Sequence, residues 1–219
     1  MIYTENVYIA LAIPLAVAVL LLRGDARRSF GFFLIGLSIC LVASFINTFL
    51  ASSLGMTGWE VVVRVTPVFE EILKAFPVFF YFVIFKPSHK DLFSVAVAVG
   101  LGFATMENVC QIISFGTSEF LFVLLRGLSA GVMHTICAAL LGYGLSRLSR
   151  YRLVLLPGAL GLLCAACVFH SIYNLFVTAW GVWQLIGYAL PIVMAAVMLG
   201  FLRRDSEVEM GTDTKTQQF

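Results

Sequence analysis

Charge is what this sequence has least of. Asp, Glu, Lys and Arg make up 12% of the 219 residues, against 61% hydrophobic ones. A soluble domain carries roughly 25% charged residues. A chain this poor in charge cannot cover itself with a solvated surface, so burial in lipid is the economical reading. The formal net charge of +2 is too small to recruit nucleic acid, and no basic patch is interleaved with aromatics on a polar face. Nucleic acid is therefore excluded as a partner. No HExxH is present, and no serine or cysteine stands beside a base as a nucleophile would. The five cysteines all lie in apolar runs, and "CAAC" at 164–167 lacks the strand–helix context of a redox motif. They read as packing residues. Internal repeats and low-complexity segments are also missing.

What is there is a series of apolar runs. A spanning helix needs about 20 apolar residues. Runs near 3–22, 29–52, 61–85, 92–114, 119–145, 153–179 and 183–202 meet that length and predict seven transmembrane helices. The fold class is all-α, a polytopic membrane helix bundle. Residues 1–204 form one integral-membrane domain, and 205–219 turn polar and read as a disordered cytoplasmic tail. Lys and Arg collect in alternate connections: "RGDARR" (23–28), "KPSHKD" (86–91), "SRLSRYR" (146–152) and "RR" (203–204). The intervening ones (52–60, 115–120, 179–183) are neutral or acidic. The positive-inside rule then places the N-terminus outside and the C-terminus in the cytoplasm. Glu5 before the first run and Arg23 after it oppose the charge order of a cleaved signal peptide. The expected location is a cell membrane, crossed several times, with the lipid bilayer as solvent.

Outside the basic connections and the tail, only three basic residues remain: Arg64, Lys74 and Arg126. Arg64 and Arg126 lie near the outer ends of their spans, where they can snorkel to headgroups. Lys74 is deeper, in "TPVFEEILKAFP" (66–77). Each intramembrane charge costs at least ~2.5–3.5 kcal/mol to insert, so it needs a partner or a wet cavity. Lys74 is i,i+4 to Glu70 and i,i+3 to Glu71, so it can hold one carboxylate charged and leave the other free. Pro67 and Pro77 bracket the stretch, each removing a backbone hydrogen bond. In the next span Glu107 follows the small-residue stripe Ala96, Gly100, Ala104, with Asn108 and Gln111 beside it. His134 shares a face with Ala130, Ala138 and Gly142, and His170 shares one with Ala166 and Asn174. Four consecutive spans thus carry polar groups on buried-looking faces. At 1.5 Å rise per residue, Glu70, Glu107 and His170 come to ~10–15 Å from the outer face, and His134 to ~22 Å. One shared site in the outer half of the bilayer is expected.

Glutamates with histidines point to an activated water. Either a carboxylate deprotonates it directly as general base, or carboxylates and imidazoles bind a divalent metal such as zinc that does so. Asn174 and the histidines can donate to a developing oxyanion. Either arrangement suits peptide hydrolysis within a membrane. The same Glu and His groups also suit a proton-coupled transporter or channel, though the related half-repeats of such proteins are missing. A retinal protein needs a Schiff-base lysine in a late span, and Lys74 is in the third.

"EEILK" (70–74), "GFATMENV" (102–109), "RGLSAGVMH" (126–134) and "HSIYN" (170–174) together resemble the PrsW family of intramembrane proteases, related to the CAAX endopeptidase and Abi group. The resemblance covers roughly residues 60–180. It implies an endopeptidase that cuts a membrane-anchored protein, such as an anti-sigma factor, in the bacterial inner membrane. It assigns Glu70, Glu71, Glu107, His134, His170 and Asn174 to the catalytic site, with Lys74, Asn108 and Arg126 supporting. Glu71, Glu107, His134 and His170 are the candidate metal ligands. The family carries both a metalloprotease label and relatives that look metal-free and glutamate-dependent. In the latter Glu70 is the base, Glu71 its support, and Glu107 stands where those relatives have a histidine.

Overall fold

The computed structural model describes residues 3–115 and 120–216. They form α1 (Thr4–Leu21), α2 (Gly24–Leu54), a short α3 (Gly58–Glu60), a π-turn (Val61–Val65), α4 (Thr66–Phe85), α5 (His89–Phe115), α6 (Phe120–Leu148), α7 (Arg152–Val177) and α8 (Val182–Thr216). The sequence marks several of these ends. Gly55 closes α2 with φ 59°, a left-handed cap that glycine adopts without strain. Thr57 and Glu60 exchange the reciprocal bonds of a capping box at the start of α3. Short connections make consecutive helices antiparallel neighbours. Arg28 of α2 pairs with Asp91 of α5 at 2.6 Å, so both helices begin at the same end of the bundle. The expected acidic connection at 115–120 lies largely outside the described residues.

Among the described residues, six helices are long and apolar enough to cross a membrane: those at Thr4–Leu21, Gly24–Leu54, His89–Ser114, Phe120–Leu148, Arg152–Val177 and Val182–Arg204. The sequence predicts seven. The difference is the run at 61–85, where Glu70, Glu71 and Lys74 fall within the 20 residues of α4. The segment is helical, but it is not uniformly apolar. The backbone of α8 continues as helix to Thr216, past Arg204, into the stretch that the sequence assigns to a disordered tail. Residues 217–219 lie outside the described residues.

The bundle is apolar outside and partly polar inside. Leu20, Phe76, Leu153 and Trp180 are exposed, whereas Glu70, Glu71, Lys74, His134 and His170 are buried. Such an exterior belongs in lipid, and the chain is a multi-pass membrane protein. The small-residue stripe on α5 works as its spacing suggests. Ala96 and Ala104 are buried, and a Cβ on Gly100 would lie 2.8 Å from the His134 carbonyl oxygen. Close approach here requires glycine and sets the depth of His134 against α5. Gly100→Ala is therefore expected to cost about 1–3 kcal/mol, because backbone must move. Gly131→Ala, where a Cβ meets nothing within 4 Å, is the control. Thermal denaturation of both variants in detergent checks the difference.

Candidate active site

The four spans do converge. Lys74 Nζ lies 2.6 Å from Glu71 Oε1 and 2.9 Å from His134 Nδ1, and 4.9 Å from the centre of the Phe103 ring. His134 Nε2 contacts Glu107 Oε2, and Arg126 donates to Glu107 Oε1 at 3.4 Å. On the other side, His170 Nδ1 lies 2.8 Å from Glu71 Oε1. The two imidazoles meet edge to face with centroids 4.9 Å apart.

Donor and acceptor counting fixes the tautomers. An ammonium only donates, so His134 Nδ1 accepts from Lys74 and its proton sits on Nε2, given to Glu107. A carboxylate only accepts, so His170 Nδ1 carries the proton given to Glu71. The Nε2 lone pair of His170 is then turned toward Glu70 Oε2, 4.0 Å away. That gap is too wide for a hydrogen bond and suits one shared atom. Glu70 Oε1 accepts from Asn47 at 3.3 Å. Glu70 Oε2 is buried with no hydrogen-bond partner among the described residues. The adjacent glutamates therefore differ in kind. Glu71 Oε1 is shared by Lys74 and His170, while Glu70 Oε2 is unused among the described residues.

Glu70, Glu107 and His170 line a cavity of about 640 Å³, together with Arg126, Asn174 and Gln111. It lies at the end of the bundle opposite the basic connections. Its size is typical of a ligand site, enough for a short stretch of extended peptide.

Three residues that the sequence singles out are held by neighbouring groups; Asn108 is not among the cavity's lining residues, whereas Arg126 and Asn174 are. Asn108 donates to the Gly127 carbonyl at 3.3 Å and ties α5 to α6. Arg126 does not snorkel outward as expected. It turns inward, because Glu107 offers it a carboxylate within the bundle. Asn174 donates to the Val62 carbonyl at 2.9 Å. Two features escape the sequence reading. Asn47, from α2, is the amide bonded to Glu70. Tyr173 lines the cavity, its hydroxyl accepting from Ser129 at 3.1 Å. An amide in the apolar run of α2 was the only sequence signal for Asn47, and nothing in the sequence sets Tyr173 apart.

The donor set fits a divalent metal. Glu70, His134 and His170 each offer a ligand atom, and these lie within 4.8 Å of one another. Glu70 Oε2 and His170 Nε2 point at each other without meeting, and Glu71 orients His170 through its other nitrogen, the usual outer partner of a metal-binding imidazole. His134 would join them only by giving up both its Nε2 proton and its bond to Glu107. Glu71, one of the metal candidates from the sequence, thus sits behind the ligand atoms, and Glu70 sits among them.

The family described as PrsW family intramembrane metalloprotease matches residues 26–201, from the first turn of α2 into the apolar part of α8. No curated protein matches the chain, and no solved structure does.

Proposed function

Because the chain belongs to the PrsW family of intramembrane proteases, and is thus a peptide hydrolase of the membrane, we propose that it cleaves with a water held between Glu70 and His170. The observation that carries this is the unpartnered Glu70 Oε2 facing His170 Nε2 across 4.0 Å, at the wall of the cavity. Glu70 takes the water proton as general base. The water oxygen bonds to the scissile carbonyl carbon, the C–N bond breaks, and Glu70 passes its proton to the leaving amine. Glu71, held by Lys74, keeps His170 in the tautomer whose lone pair faces the water. A divalent metal such as zinc, held by His170 and His134 beside Glu70, would supply Lewis acidity for this attack near neutral pH and would leave Glu70 Oε2 as the base. The buried network keeps bulk water from the back of the site, while the polar cavity admits it from the other end.

In this reading α4 is a seventh crossing. Its outward face carries Phe76, Phe80, Val83 and Phe85, all exposed, and its three charges face inward. With the basic connections in the cytoplasm, the N-terminus lies outside and the site sits in the outer half of a bacterial inner membrane. The substrate is a membrane-anchored protein with a single span, such as an anti-sigma factor, cut near its outer end.

Proteoliposomes carrying the protein and labelled single-span substrates test this. Cleavage is expected to stop on chelation and return with added zinc. The wild-type protein should carry one tightly bound zinc per chain, and His170→Ala should lose both the zinc and at least about 100-fold in rate. If His170→Ala cleaves at the wild-type rate, or if no single-span substrate is cut under any metal loading, the reading fails.

A further inference from the structure

The π-turn before α4 has a cause in the sequence and a consequence across the bundle. In a π-turn each N–H bonds to the carbonyl five residues back. Thr66 N–H does so, reaching Val61. The next rung would run from residue 67 to the Val62 carbonyl, but residue 67 is proline and has no N–H. The α-helical alternative, Thr66 to Val62, is already spent on Val61. The Val62 carbonyl is therefore left without a donor from its own helix, in a setting where an unbonded carbonyl costs several kcal/mol. Asn174 of α7 supplies the donor. Its Nδ2 lies 2.9 Å from Val62 O, across 112 residues of sequence.

The two ends of this bond are the two halves of the site. Pro67 is three residues before Glu70 on α4. Asn174 is one turn after His170 on α7. A bond from Asn174 to Val62 fixes how far α7 can slide or rotate against α4, and so fixes the gap between Glu70 Oε2 and His170 Nε2. Asn174 also lines the cavity, which makes a donor to the scissile carbonyl the obvious alternative role. We propose that Asn174 is instead a positioning residue, replacing the backbone donor that Pro67 removes and thereby setting the Glu70–His170 spacing. The inference rests on the proposed water-activating role of that pair.

Pro67 supplies a test that separates the two roles. Pro67→Ala restores an N–H at residue 67, in the π register to reach Val62, and so makes Asn174 dispensable for holding the turn. Rates are measured for the wild type, Pro67→Ala, Asn174→Ala and the double variant on one single-span substrate, with thermal stability of each. Pro67→Ala is expected to stay within a few-fold of wild type. Asn174→Ala should lose about 10–100-fold in kcat, the usual cost of removing an outer supporting bond. The double variant should recover to within a few-fold of Pro67→Ala. A donor to the oxyanion cannot be replaced this way, and its loss of about 10²–10³ would persist in the double variant and overturn the proposal. Should Asn174→Ala fail to fold, the comparison of the double variant with Pro67→Ala carries the test by itself. Absence of cleavage by the wild type counts against the protease mechanism, whereas cleavage without rescue counts against the clamp alone.

Discussion

Lys74→Met is expected to leave a protein that accumulates poorly and melts far below the wild type. Lys74 and Glu71 have side chains only 1% and 2% exposed and sit 2.6 Å apart. Removing the cation strands an ionised carboxylate in the interior, which costs about 3–5 kcal/mol. The damage spreads through His134 to Glu107. His134 loses the donor that puts its proton on Nε2, and Glu107 loses a certain partner. Glu71→Gln in the same background should return most of the stability, since a neutral amide no longer needs a counter-ion and its oxygen still accepts from His170. It should not return full activity, because nothing then selects the His134 tautomer. Arginine is no substitute, as its planar fork has a different reach from a single ammonium. Thermal denaturation in detergent, with cleavage rates on whatever protein folds, separates these effects. If Lys74→Met melts with the wild type, the buried pair is not what holds the centre of the bundle.

The helices were legible because each apolar run is long enough to span, and the basic residues mark alternate ends. What blurred the count was the chemistry itself. Glu70, Glu71 and Lys74 sit within one helix and lower the apolar character that identifies a span. The same cost made the site legible. A carboxylate or imidazole in an apolar helix needs a reason, and small residues one turn away, as beside Glu107 and His134, indicate which way it faces. What spacing could not settle was which glutamate Lys74 holds. Both lie within reach on the helix surface, and the choice falls to Glu71 through His134 and His170, on helices far away in sequence. Arg126 departs from its sequence expectation for a related reason. Its position near a helix end favours snorkelling, but Glu107 on the neighbouring helix outweighs that tendency. The π-turn and its Asn174 clamp were invisible, because they depend on a missing N–H at Pro67 meeting an amide from α7.

Glu70→Gln is the opposite case to Lys74→Met, and the contrast tells the two adjacent glutamates apart. Glu70 is 6% exposed, accepts one bond from Asn47, and leaves Oε2 without a partner among the described residues. Among the described residues no lysine or arginine pairs with it, so the folded state gains little from its charge and bears the desolvation of a buried carboxylate. The amide keeps an oxygen for Asn47 and has almost the same shape. Stability should therefore be unchanged or slightly raised, while cleavage falls by about 10²–10⁴, the worth of a general base. Glu71→Gln alone should behave differently again. It leaves Lys74 as a buried cation without its carboxylate and should lower stability by several kcal/mol. Melting curves and single-turnover cleavage on the two variants form the test. A Glu70→Gln protein that cuts as fast as the wild type removes Glu70 from the chemistry. One that unfolds makes Glu70 a structural residue, and the water must then be sought beside Glu107, the other carboxylate at the cavity wall.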